Sequence, residues 1–160
     1  MQIAFQSIGI IHSPYKTVQD MPIQPGGAKG VRGSIQLDEA WQPALQDLCG
    51  FSHIILLYHF HKVTRHELLV MPFLDTQTHG LFATRAPRRP NPIGLSIVKL
   101  ISVEGGVLYI DNVDVLDGTP LLDIKPYVPA FDIPREEIRT GWLAGKAGRI
   151  TDTHSDDRFV

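Results

Sequence analysis

The chain has 160 residues, 43% of them hydrophobic, and a formal net charge of −2. That length fits one domain with a real core, and the near-neutral balance excludes a global basic field, so any nucleic-acid contact must come from a local patch. A single cysteine, Cys49, excludes an intrachain disulfide and a cysteine-rich metal site, and it fits a reducing, cytoplasmic setting.

Fourteen glycines and twelve prolines call for many turns, which favours short strands over long helices. The opening MQIAFQSIGIIHSPY has no basic residue before its apolar stretch and is not expected to act as a signal peptide. Ile3 to Ile11 is predicted as a first strand, stopped at Ser13-Pro14. Thr17 to Gly30, with Pro22, Pro25, Gly26 and Gly27, reads as an ordered loop. Val31 to Leu37 follows as a strand, and Pro43 to Cys49 as a short helix closed by Gly50. Ser52 to His61 is the strongest strand; its continuous run Ile54 to Leu57 suits a strand covered on both faces. The run Ile54 to Tyr58 is far too short to span a bilayer. Thr64 and Glu67 have capping-box spacing, so a helical turn is predicted there.

Leu68 to Phe73 and Gly80 to Thr84 are predicted as further strands. Leu95 to Val103 and Val107 to Asp111 flank Glu104-Gly105-Gly106, a hairpin signal. Asn112 to Leu116 extends the β pattern, and Leu121 to Tyr127 follows a turn at Asp117 to Pro120. Residues 1–134 are thus expected to form the β domain. Residues 135–160 are expected as a short extension, helical over Arg135 to Arg139 and frayed over the polar last ten residues. Strands do not alternate with long helices, so the pattern points to an antiparallel barrel or sandwich.

The most informative stretch is Phe82 to Ser96, FATRAPRRPNPIGLS. It combines Arg85, Arg88 and Arg89 with Pro87, Pro90 and Pro92, and no acidic residue occurs from Thr76 to Val103. Proline fixes its own φ and pushes its predecessor toward extended backbone, so the loop is stiff. The arginines repel one another unless an anion from elsewhere in the fold, or from a ligand, compensates them. A second motif runs DVLDGTPLLDIKPY from Asp114 to Tyr127. Asp117-Gly118 is an ordinary turn, whereas Asp123 and Lys125 share one strand face, where they either pair with each other or meet a ligand. Gln24, in PIQPGG, sits in either a plain turn or a loop folded over a pocket, where it offers both donor and acceptor. His59 and His61 share a strand face. Read as metal ligands they are half a zinc site for a hydrolase, but no carboxylate motif completes the set, so no metal is expected. Nucleotide-binding glycine fingerprints and a nucleophile elbow are absent from the sequence.

Gly50-Phe51-Ser52-His53-Ile54, the FATRAPRRPNPIGLS loop and the DVLDGTPLLDIKPY segment, in that order, resemble the TsaA-like family, with the match running from about Ser7 to Tyr127. The family is typified by a tRNA methyltransferase acting on threonylcarbamoyl-adenosine beside the anticodon. The resemblance implies an all-β fold, a small closed antiparallel β-barrel with one or two short helices. It also implies S-adenosylmethionine as cofactor, tRNA as partner, a homodimer with its pocket near the subunit interface, and no membrane association. Carried over by position, cofactor contacts fall on Pro22, Gln24, Pro25 and Gly26, on His61 and Lys62, on Arg85 and Leu95, and on Leu122, Asp123, Ile124 and Lys125. Arg88 and Arg89 are expected to clamp the substrate carboxylate, and Asp123 and Tyr127 are the candidates for a base. The chain departs from the family at Ala86, where many relatives carry serine. The alternative is a binding module for S-adenosylmethionine or a related nucleoside that does not turn over.

Overall fold

The computed structural model describes residues 1–19, 21–146 and 155. Its strands are β1 (Gly9–His12), β2 (Arg32–Leu37), β3 (His53–His59), β4 (Leu69–Val70), β5 (His79–Gly80), β6 (Ile93–Glu104), β7 (Val107–Asp111) and β8 (Thr119–Pro126). Six of them close into a barrel in the order β1-β2-β7-β6-β3-β8, while β4 and β5 form a separate ribbon. Every pairing is antiparallel, including β8 back onto β1, so the expected closed antiparallel barrel is what the chain forms.

The barrel interior follows from strand alternation. Along β3, Ile54, Leu56 and Tyr58 point inward. Ile11, Ile35, Leu37, Val98, Leu100, Leu108, Ile110, Val113, Val115 and Leu121 complete the core. The Ile54 to Leu57 run is therefore not covered equally on both faces. Ile55 and Leu57 lie on the outer wall, half-buried, beside the exposed Ile93, Leu95 and Ile97 of β6. The hairpin at Glu104-Gly105-Gly106 forms as predicted, with φ of 54° and 81° at its two glycines, the positive pair that a two-residue turn demands.

Several expected elements are shorter or displaced. The first strand begins at Gly9 rather than Ile3, and Ile3 and Phe5 are exposed. In place of a helix over Pro43 to Cys49 there are two 3-10 turns, Glu39–Leu45 and Leu48–Gly50, separated by Asp47 at φ 65°, a left-handed break that no helix continues through. Of the strands predicted over Leu68 to Phe73 and Gly80 to Thr84, only the two residues of β4 and the end of β5 pair, and Leu81–Ala83 turns as a 3-10 helix. Asn112, at φ 67°, ends β7 and stops the predicted β extension. Thr64 to Glu67 forms no helical turn; Glu67 is taken up by Arg88 instead. The late helix, α1, is Pro129–Asp132, not Arg135 to Arg139. Pro129 occupies its first turn, and Pro134 forces Ile133 into extended backbone, which ends it early. The frayed end expected over the last ten residues lies, apart from Ser155, outside the described residues.

Candidate functional site

Because each strand runs antiparallel to both neighbours, three long connections leave the same end of the barrel: residues 13–31, 60–92 and 112–118. They carry the PIQPGG loop, His61-Lys62, the arginine loop and the Asp114 to Gly118 turn. The other end holds residues 38–52, the Gly105-Gly106 hairpin and the exit of β8.

At the shared mouth the loops touch. Arg85 Nη1 donates to Gln24 Oε1 at 2.9 Å, tying the arginine loop to PIQPGG. The 3-10 turn Pro25–Gly27 packs against β6. His61 Nδ1 lies 3.4 Å from Thr119 Oγ1 at the start of β8. Burial, then the neighbouring Lys62 and His59, pushes the His61 ring toward neutrality. Among the described residues no group of three His, Cys, Asp or Glu stands close enough to hold an ion.

The three arginines serve different ends. Arg85 is exposed. Arg88 is only 6% exposed and pairs through Nη1 with Glu67 Oε1, while the Glu67 amide donates to the Arg88 carbonyl at 3.1 Å. Arg89 Nη1 donates to the Thr84 carbonyl at 3.0 Å, and its guanidinium lies 5.6 Å from the centre of the Phe82 ring. Both guanidiniums expected at the substrate thus have partners within the 60–92 connection. Ala86 is buried, and its amide donates to Thr84 Oγ1 at 3.3 Å, so a threonine two residues earlier supplies a hydroxyl in this turn.

On β8 the register slips between Leu57 and Tyr58: Leu57 faces Asp123, Tyr58 faces Leu121, and Leu122 is the extra residue. This bulge keeps Leu121 in the core and returns Ile124 to it, leaving Leu122 and Asp123 together on the outer side. Asp123 Oδ2 meets Lys125 Nζ at 2.7 Å, the same-face pairing that the strand spacing allowed. Leu95, Leu57 and Asp123 form one row across β6, β3 and β8, a span of two strand spacings, ~10 Å. Tyr127 is not brought to this mouth. Its ring meets His53 edge-on at 6.5 Å at the opposite end, and the length of β3, roughly 20 Å, separates it from His59.

Sequence reasoning overlooked a polar chain just inside the mouth, buried at Tyr58 and Ser96 and half-buried at Asp114. Tyr58 Oη and Ser96 Oγ are 3.0 Å apart, and Ser96 Oγ donates to Asp114 Oδ1 at 2.7 Å. Burial pushes the Asp114 carboxyl up to about 6, against the opposing effects of Ser96 and Arg85. The available signal was Ser96 itself, a hydroxyl at an inward position of β6 between Gly94 and Val98.

A further cluster braces the arginine loop from outside. Asp75 Oδ2 accepts from Lys146 Nζ at 2.7 Å and lies 3.0 Å from His79 Nε2; Trp142 stacks on His79 at 4.4 Å and donates from Nε1 to the Ala83 carbonyl at 2.8 Å. Lys146 and His79 hold the Asp75 carboxyl well below the usual carboxylate range. A carboxyl depressed in the folded state contributes stability above its unfolded value and loses it as pH falls through the folded one. Asp75→Asn is therefore expected to lower Tm at neutral pH and to flatten the fall of Tm below about pH 4, as read by thermal melts across pH.

An open groove of about 400 Å³ flanks the mouth, lined in part by His12, Lys16, Arg32, Tyr109 and Asp117. None of the expected cofactor residues lines it. Asp117 meets Lys16 at 2.6 Å and His12 at 3.4 Å, while Arg32 is exposed.

Comparison with known proteins adds to this geometry. A family model described as the tRNA-methyltransferase O N-terminal domain matches residues 10–133. A probable S-adenosyl-L-methionine-binding protein of Pyrococcus abyssi is 50% identical over 159 residues, covering 99% of this chain and 86% of that one. The tRNA (adenine(37)-N6)-methyltransferase of Homo sapiens is 34% identical over 137 residues, covering 81% of this chain and 31% of that protein. The crystal structure of TrmO from Pseudomonas aeruginosa matches with a TM-score of 0.74 at 38% identity, over 89% of this chain and 63% of that one. The chain thus spans about a third of the human methyltransferase and under two thirds of the crystallised TrmO chain. No described helix is long and apolar enough to cross a membrane.

Proposed function

The chain belongs to the tRNA-methyltransferase O N-terminal domain family, and from that membership we propose that it moves a methyl group from S-adenosylmethionine to the exocyclic nitrogen of threonylcarbamoyl-adenosine next to the anticodon of a tRNA. The observation that carries this reading is the meeting of PIQPGG, His61-Lys62, the arginine loop and the start of β8 at one mouth, with Gln24 bonded to Arg85.

The residues present suit the cofactor's chemistry. Leu95, Leu57 and Leu122 offer an apolar outer wall for adenine, and Asp123 beside them offers acceptors for ribose hydroxyls or an ammonium. The exposed Arg85 offers a guanidinium for a carboxylate. Pro22, Pro25, Gly26, His61, Lys62, Ile124 and Lys125 frame these positions. S-adenosylmethionine supplies an electrophilic methyl on a sulfonium, whose leaving group is neutral, so the protein's work is alignment and exclusion of water. Arg88 and Arg89 serve the substrate by fixing the shape of the loop that meets it.

Exposed Ile93, Leu95 and Ile97, with Ile55 and Leu57, support a second copy of the chain closing this outer wall. The groove of His12, Lys16 and Arg32, with Tyr109 for stacking, supports the RNA backbone beside the same mouth. A tRNA substrate puts the work in the cytoplasm.

The test combines calorimetric titration with S-adenosylmethionine and mass spectrometry of modified tRNA after incubation. Binding together with a gain of one methyl on the modified adenosine is the expected result. Several relatives are named only as S-adenosyl-L-methionine-binding proteins, which favours the second reading, a binding module without turnover. Cofactor binding with no methyl gained by any tRNA fraction would establish that module and overturn the transferase.

A further inference from the structure

The chain Tyr58–Ser96–Asp114 has a direction. Ser96 has one hydroxyl proton and gives it to Asp114, so the Tyr58 hydroxyl must point at Ser96. Both protons run toward Asp114, and the carboxylate is the terminal acceptor. Its other oxygen receives no side-chain hydrogen bond among the described residues. The groups acting on it are Ser96 of β6, its own backbone amide and Arg85 of the arginine loop. Arg85 opposes the rise in the Asp114 pKa without forming an ion pair, while burial first, and then the Asp114 charge, raise Tyr58 and Tyr15. Packing alone gives no reason for this arrangement, because apolar residues at all three positions would spare the cost of desolvating a carboxylate and two hydroxyls. The two bases expected from sequence are less suited. Asp123 is tied to Lys125 on the outer wall, and Tyr127 stands at the far end of the barrel.

We propose that Asp114 is the proton acceptor in methyl transfer, held toward the mouth by Ser96 and Tyr58. The assignment rests on the transferase reading above. In the step, the methyl carbon–sulfur bond breaks with its electron pair kept by sulfur, and a carbon–nitrogen bond forms. The proton of the exocyclic nitrogen passes to the Asp114 carboxylate, at the oxygen not bonded to Ser96, and then to water. A carboxyl titrating at about 6 is largely ionised at neutral pH and more basic than an ordinary one, which suits it to that transfer.

Three measurements test the assignment. Carbon NMR titration of the protein without ligand is expected to find the Asp114 carboxyl near 6, and higher in Arg85→Ala. A value near 4, the ordinary one for aspartate, overturns the proposal. In single-turnover assays, Asp114→Asn is expected to lower the rate at least ~100-fold, with cofactor affinity by calorimetry changed less than about three-fold. Ser96→Ala is expected to shift the acid limb of the wild-type pH–rate profile rather than abolish turnover. Asp114→Asn retaining the wild-type rate overturns the assignment alone, whereas a wild type that moves no methyl group to any tRNA overturns the transferase reading and the assignment together. If Asp114→Asn does not fold, the wild-type profile decides, since a rate flat through pH 6 excludes Asp114 as the acceptor.

Discussion

Alanine at position 94 is expected to cost the barrel about 3 kcal/mol. A Cβ on Gly94 would stand 2.2 Å from Cε2 and 2.5 Å from Cζ of the Tyr58 ring. The ring has no room to retreat. It meets Phe60 edge-on at 5.4 Å, and its hydroxyl holds Ser96. Gly94 faces Tyr58 directly across β6 and β3, so the glycine exists to let an aromatic ring cross the strand it pairs with. Urea melts of Gly94→Ala against Gly80→Ala provide the check. No atom lies within 4 Å of a Cβ at Gly80, where the change should stay within about 0.5 kcal/mol. Equal midpoints for the two variants would contradict this packing.

Arg88→Ala is the second large effect. The buried guanidinium answers Glu67, whose side chain is 34% exposed. Breaking a fully buried pair costs ~3–5 kcal/mol, and water reaching Glu67 lowers the expectation to about 2 kcal/mol. Turnover should fall with it, since the 81–92 loop loses its inner brace. A double-mutant cycle with Glu67→Gln should return a coupling energy of about 1 kcal/mol or more. Arg88→Lys should rescue little, because an ammonium cannot reproduce a fork seated in a closed site. A cycle showing no coupling, or an Arg88→Ala variant that is stable but inactive, would return Arg88 to direct substrate contact.

These two residues also show what the sequence could and could not say. The absence of acids from Thr76 to Val103 established that the three arginines need an anion from farther away. For Arg88 it comes from Glu67, whose spacing from Thr64 suggested a helix cap instead, and only the fold decides between the two. The barrel was legible because alternation, the Gly105-Gly106 turn and the lack of long helices all agree. The pairing of Asp123 with Lys125 was legible from period-two geometry alone. The bulge at Leu122 was not, because it depends on β3 and β8 closing around the core, and so the side on which Leu122 faces could not be assigned. The polar chain to Asp114 was hidden for a related reason. Its members stand at 58, 96 and 114, on three separate segments, and no local pattern joins them.

The ring closes in an order that delays it. Both neighbours of β3, namely β6 and β8, come later in the chain, and β1 finds its second partner only in β8. A nascent chain leaving the ribosome can zip β1 to β2 early, but its apolar third strand must wait with both edges bare until more than thirty further residues have emerged. That interval is when this protein is most exposed to sticking to its neighbours, and it is the stage of biosynthesis at which a chaperone would matter most.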